Sequence, residues 1–182
     1  MSEVAERYRA VAAGFTRRLE RVPPAGWAAP SPCPDWTARD VAVHVVMTHL
    51  RVLARMEGTE AVDVQPDADL LGAWRAATGA VQEALDDPAR VSTVMGGMFG
   101  DQPFEQLVGG VLCTDTLVHT WDLARATGQD ETLDAGAVAN ASAFLDPLDE
   151  AIRRPGGFGA KLDPTPGADD QTRFLNFCGR AV

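Results

Sequence analysis

Cys113-Thr114-Asp115-Thr116-Leu117-Val118-His119-Thr120-Trp121-Asp122-Leu123-Ala124-Arg125 is the stretch on which the reading of this chain turns. Asp115 precedes His119 by four residues, one helical turn. At about 100° per residue, Asp115, His119 and Asp122 fall within about 60° of one another, on a single stripe. The helix is apolar nearly all round that stripe: Leu107, Val108, Val111, Leu112, Leu117, Val118, Trp121 and Leu123. Such a helix is buried, and buried carboxylates need partners. The spacing therefore predicts an interior helix of an all-α protein. Its polar stripe reads either as part of a metal site or as an internal hydrogen-bonded pair.

Only three histidines are present. His44 lies in a second apolar helix, Val41-Ala42-Val43-His44-Val45-Val46. A carboxylate and an imidazole on one helix and an imidazole on another supply three ligands. That is the usual protein share of a catalytic metal site with an open position. His44, Asp115 and His119 are thus the candidate metal ligands. Asp122 is the natural outer partner of a ligating imidazole, and Asp40, one turn before His44, is placed to orient it. A bundle without metal predicts instead that His44 bonds Asp115 directly. His49 lies about 140° around the helix from His44 and reads as a surface or loop-facing residue.

The rest of the chain reads as helices joined by loops. Val4, Tyr8, Val11, Ala12, Phe15 and Leu19 mark an amphipathic helix over 2–21, stopped by Pro23-Pro24. The proline-rich stretch 22–36 cannot be regular structure. Thr37 and Asp40 form a capping box that opens a helix over 38–57. A helix over 68–86 is capped by Asp67 or Asp69, and a short β-hairpin or an ordered loop covers 91–102. Further helices are predicted over 103–126, with Gly109-Gly110 allowing close packing or a kink, then over 135–153 and 168–178. No linker separates two parts, so residues 1–182 read as one domain.

Composition narrows the function classes. An apolar fraction of 46% and a charged fraction of 23% are ordinary for a soluble globular protein. The formal net charge of −10 disfavours nucleic acid and anionic membranes as partners. No stretch approaches the roughly 20 apolar residues of a membrane span. Residues 1–7 lack the apolar core of a signal peptide, so the expected location is cytoplasmic. Cys33, Cys113 and Cys178 show no CxxC spacing and read as reduced thiols that act as buried small apolar side chains, with Cys33, in its proline-rich loop, the first candidate for exposure.

Cys33-Pro34-Asp35-Trp36-Thr37, the His44 segment and the run Asp115 to Gly128 together resemble the actinobacterial DinB-like proteins. Within these they are similar to a single-domain branch related to the metal-binding N-terminal domain of mycothiol-dependent maleylpyruvate isomerase. The segment from Phe158-Gly159 to Arg180 resembles the C-terminus of that branch. The resemblance implies a DinB-type four-helix bundle, here with an additional C-terminal helix. It implies a divalent metal, zinc or nickel, held by His44, Asp115 and His119. The isomerase has glutamate where this chain has Asp115, and a second domain for which this chain has no room. The activity implied by the resemblance is that of a metal-dependent transferase or isomerase that uses mycothiol, a low-molecular-weight thiol, on a small electrophile. Trp36, Trp121, Met98 and Phe99 are candidates for the acceptor pocket. The alternative is a non-catalytic metal- or ligand-binding bundle acting as a sensor or as a homodimeric interaction module.

Overall fold

The computed structural model describes residues 2–65, 67–96, 100–153 and 157–182. Four helices form the bundle: α1 (Glu3–Leu19), α2 (Ala38–Glu57), α3 (Leu70–Asp86) and α6 (Cys113–Thr127). α1 packs on α3 and α6, and α2 packs on the same two, so α1 and α2 stand at opposite corners. Short pieces connect them: α4 (Pro88–Val91), the strands β1 (Val94–Met95) and β2 (Gln102–Pro103), and α5 (Phe104–Leu107). The strands pair antiparallel, Val94 with Pro103 and Met95 with Gln102. Of the two readings of 91–102, hairpin or ordered loop, the pairing bears out the hairpin; residues 97–99 lie outside the described part. Two further helices, α7 (Ala135–Leu145) and α8 (Asp170–Phe177), pack on each other, and α7 also packs on α6. Among the described residues no helix is long and apolar enough to cross a membrane.

Local chemistry sets the helix ends. Asp40 N donates to Thr37 Oγ1 at 3.3 Å and Thr37 N donates back to Asp40 Oδ2 at 2.8 Å. This reciprocal cap fixes the start of α2, two turns before His44. Asp69 is the cap of α3, accepting from Gly72 N. The expected helix 135–153 is shorter than the pattern predicts. α7 ends at Leu145 and passes into a 3-10 turn, Asp146–Leu148. Pro147 has no N–H to give and its ring clashes with a carbonyl one turn back, so the helix stops there.

α6 is buried on nearly every side because it lies between two apolar clusters. Cys113 and Leu123 belong to the cluster shared by α1, α2 and α3. Leu117, Val118 and Trp121 belong to the second, built with α7 and α8. Immediately before α6 the backbone widens into a π-helical turn, Val108–Leu112, that carries both glycines. Single π turns inside helices recur near functional sites. A Cβ on Gly109 would come within 3.1 Å of Val4 on α1, and a Cβ on Gly110 would run into the Phe144 ring on α7. The glycines let two neighbouring helices approach the turn just ahead of Asp115.

Two glycine-to-alanine changes should move stability in opposite directions. Gly79 sits in mid-α3, exposed, with open space where a Cβ would go. Gly79→Ala is expected to raise the unfolding free energy by about 0.5–1 kcal/mol through helix propensity. Gly110→Ala is expected to lower it by about 1–3 kcal/mol through overpacking against Phe144. Urea titration of both variants checks this.

Candidate metal centre

The three predicted ligands meet. His44 Nε2 lies 3.2 Å from Asp115 Oδ1, and His119 Nε2 lies 3.6 Å from the same oxygen. One ligand atom from each of the three falls within 4.8 Å of the others. The two imidazoles stand edge to face, with centroids 4.8 Å apart. The Trp36 ring covers both, 4.9 Å from His44 and 6.0 Å from His119. α2 supplies His44 and α6 supplies the other two, so the site exists only because those helices pack side by side.

Asp122 does what its spacing predicts. It is fully buried, and its Oδ2 accepts from His119 Nδ1–H at 2.8 Å. That bond fixes the tautomer, leaving the Nε2 lone pair turned toward Asp115 and His44. Asp40, by contrast, does not orient His44, because its carboxylate is held by the Thr37 N–H and hydroxyl.

The donor set fits a divalent cation. Two imidazoles and one carboxylate are borderline ligands suited to zinc and its neighbours. Asp115 Oδ2 is buried and has no hydrogen-bond partner among the described residues, an acceptor that a cation would satisfy. Burial pushes the Asp115 carboxyl up, but the neighbouring His119 imidazole and the His44 hydrogen bond outweigh it. The group therefore stays below the usual carboxylate range and ionised. The hydrogen bond from His44 Nε2–H to Asp115 Oδ1 is also the contact expected of a bundle without metal.

Behind the site lies a residue that the sequence reading passed over. Arg180 follows α8 and is buried, with Nε donating to Asp122 Oδ1 at 3.0 Å and Nη2 to Oδ2 at 2.8 Å. Burial raises the Asp122 carboxyl, yet the hydrogen bonds from His119 and Arg180 hold it far below the usual range. Gly179 makes the approach possible. Its φ is +78°, and a Cβ there would come within 2.9 Å of Ala160 O. A lone arginine near the end of a chain reads as solvated, and only the Gly179 beside it hinted at a tight turn.

Cys113 and Cys178 are buried, and so is Cys33, because its loop folds back on itself. Ser31 N donates to Trp36 O, Trp36 N donates to Cys33 O, and Asp35 takes a left-handed conformation at φ 64°. The Cys33 thiol donates to Asp122 Oδ2 at 3.3 Å and accepts from Arg180 Nη2 at 3.2 Å. Burial, helped by the Asp122 charge, pushes its pKa up to about 12, so it is a thiol rather than a thiolate. Cys33, His119 and Asp122 form a second set of possible ligands, but the Arg180 guanidinium already supplies the positive charge there.

His49 is likewise buried rather than surface-facing, with 0% exposure. It continues the Val41–Val45–Leu53 stripe at four-residue steps, a signal the sequence contained. Its Nδ1–H donates to Val45 O at 2.9 Å, and its ring stands edge-on to Trp74.

A cavity of about 330 Å³ opens beside the three ligands. Trp36 lines it, as expected, together with Phe144, Leu145, Ile152 and Phe158. Trp121 does not: it is fully buried in the second apolar cluster, under the Arg125 guanidinium. Met98 and Phe99 lie outside the described residues.

Helical bundle and site together define a class, and comparison with known proteins gives its family. Residues 8–124 match the mycothiol maleylpyruvate isomerase N-terminal domain, and the chain belongs to that family. The match takes in His44, Asp115, His119 and Asp122 and stops well before Arg180. Two relatives come from Mycobacterium tuberculosis: "Uncharacterized protein MT0763" of strain CDC 1551 / Oshkosh and "Uncharacterized protein Rv0738" of strain ATCC 25618 / H37Rv. Each is 33% identical over 158 residues, covering 84% of this chain and 84% of its own length. No solved structure matches the chain significantly.

His49 makes stability depend on acid. Burial holds its pKa at about 4, against an ordinary value of 6.5. The unfolded chain therefore binds a proton first as pH falls, and stability drops from about pH 6.5 to about pH 4, by roughly 3 kcal/mol for this group. His49→Leu is expected to flatten that part of the pH profile, measured by urea unfolding at half-unit steps. An unchanged slope would refute the assignment.

Proposed function

We propose that residues 1–182 act as one metal-binding domain in which His44, Asp115 and His119 hold a divalent ion, zinc or nickel. We propose further that the domain is a cytoplasmic transferase or isomerase that joins a low-molecular-weight thiol, mycothiol, to a small electrophile. The observation that carries this reading is the convergence of two imidazole Nε2 atoms on a carboxylate whose second oxygen is buried without a partner among the described residues. Membership of the mycothiol maleylpyruvate isomerase N-terminal domain family supports the choice of thiol.

A divalent ion at such a site lowers the pKa of a thiol or water in its open position, giving a nucleophile at neutral pH. The chain's own residues do the rest. Asp122 holds His119 in the tautomer with a free Nε2. Trp36 stacks over His119 and keeps bulk water off that face. The reaction class is addition of a thiol across an activated double bond. A C–S bond forms, the π pair moves toward the activating group, and the proton released by the thiol returns to the neighbouring carbon. Reversal after rotation about the former double bond gives isomerisation, with the thiol recovered.

Untagged wild-type protein incubated with zinc and then desalted is expected to retain about one equivalent by elemental mass spectrometry. His119→Ala should lose more than the roughly 10–100-fold in affinity that accompanies loss of an outer-sphere partner. Cys33→Ala should retain the metal. No uptake by wild type, or equal uptake by His119→Ala, would overturn the assignment and leave His44–Asp115 as an internal hydrogen-bonded pair.

A further inference from the structure

We infer that the second reactant of this site is an uncharged, apolar electrophile rather than a carboxylate. This rests on the thiol-and-electrophile reading above and goes beyond it by naming the substrate class. The cavity beside the three ligands is walled by Trp36, Val111, Phe144, Leu145, Ile152 and Phe158. His44, Asp115 and His119 stand together in its lining, with ligand atoms within 4.8 Å of one another, and Cys33, Thr114 and Arg180 are the other polar side chains there. A molecule that fits this lining has a reactive polar head against the ligands and an apolar body against the rings.

Charge points the same way. Among the described lining residues Arg180 is the one cation, and each of its nitrogens is already engaged within the protein. Nε and Nη2 donate to Asp122, Nη2 also reaches Cys33 Sγ, and Nη1 donates to Cys178 O. A carboxylate entering the cavity would lose its water and gain no free guanidinium from the described lining residues, which is unfavourable. It would also face the Asp115 carboxylate, which lines the same cavity. The formal net charge of −10 slows the approach of anions from a distance. An uncharged ligand meets none of these costs, and burying its apolar surface is favourable.

The test uses two probes with one phenylpropenyl frame: benzylideneacetone, an uncharged enone, and cinnamate, its carboxylate counterpart. Both are titrated at about pH 7.5, where the carboxylate is ionised, into zinc-free and zinc-loaded full-length protein by isothermal calorimetry. The enone is expected to bind at least ten-fold more tightly in both forms. Phe158→Arg, which puts a free cation on the cavity wall, is expected to narrow that ratio by raising cinnamate affinity. Cinnamate matching the enone in either form, or neither probe binding at millimolar concentration, overturns the inference. A ratio unchanged in Phe158→Arg also overturns it, because the probes then bind elsewhere. Failure to take up zinc would refute the metal reading alone, since the zinc-free comparison still decides the substrate class.

Discussion

The buried pair of Asp122 and Arg180 is the constraint on which the site depends. Asp122 is fully enclosed and carries its charge only because His119 and Arg180 both donate to it. One carboxylate thereby joins three distant parts of the chain: α6, the Cys33 loop that precedes α2, and the turn that follows α8. Removing one partner of a comparable buried pair leaves a stranded charge and costs about 3–5 kcal/mol. The pair also aims His119. With Nδ1–H committed to Asp122, only Nε2 can face the space shared with His44 and Asp115.

This arrangement explains why the fold encloses α6 on nearly every side. A helix on the bundle surface would expose Asp122 to water, where its grip on His119 would be screened and weak. The second apolar cluster, with α7 and α8, covers that face and brings Arg180 to it. The π turn at Val108–Leu112 and its two glycines let α1 and α7 close in just ahead of Asp115. What remains open is the cavity over the ligands, walled by side chains from the Cys33 loop, α6, α7 and the segment before α8. The protein thus keeps one polar corner in an apolar chamber, a setting in which a charge or a bound ion acts with little screening.

The sequence made the bundle legible because its signals were local. Helical spacing, the Thr37–Asp40 box and the proline stops each act within a few residues, and they locate α1, α2 and α3 closely; the helix expected over 103–126 is divided into α5, the π turn and α6. Asp115, His119 and Asp122 were legible as a stripe for the same reason. What escaped were contacts across long stretches of chain. Cys33 and Arg180 are 147 residues apart and meet at Asp122, and neither has a local pattern that announces a partner. Pro147 shortened a helix that apolar periodicity alone extended to 153. The angle of His49 from His44 points outward, but its burial follows the stripe Val41, Val45, Leu53 on which it lies.

X-ray absorption at the zinc edge of the zinc-loaded protein tests the central claim most directly, because it reads the atoms around the ion without reference to turnover. The account predicts two imidazole nitrogens, carboxylate oxygen and solvent oxygen near 2.0–2.2 Å (about the usual zinc range), with sulfur joining at about 2.3 Å only when a small thiol is added. Sulfur bound to the ion before any thiol is added would contradict it, since that sulfur would have to come from Cys33 and the ion would lie on the wrong side of His119.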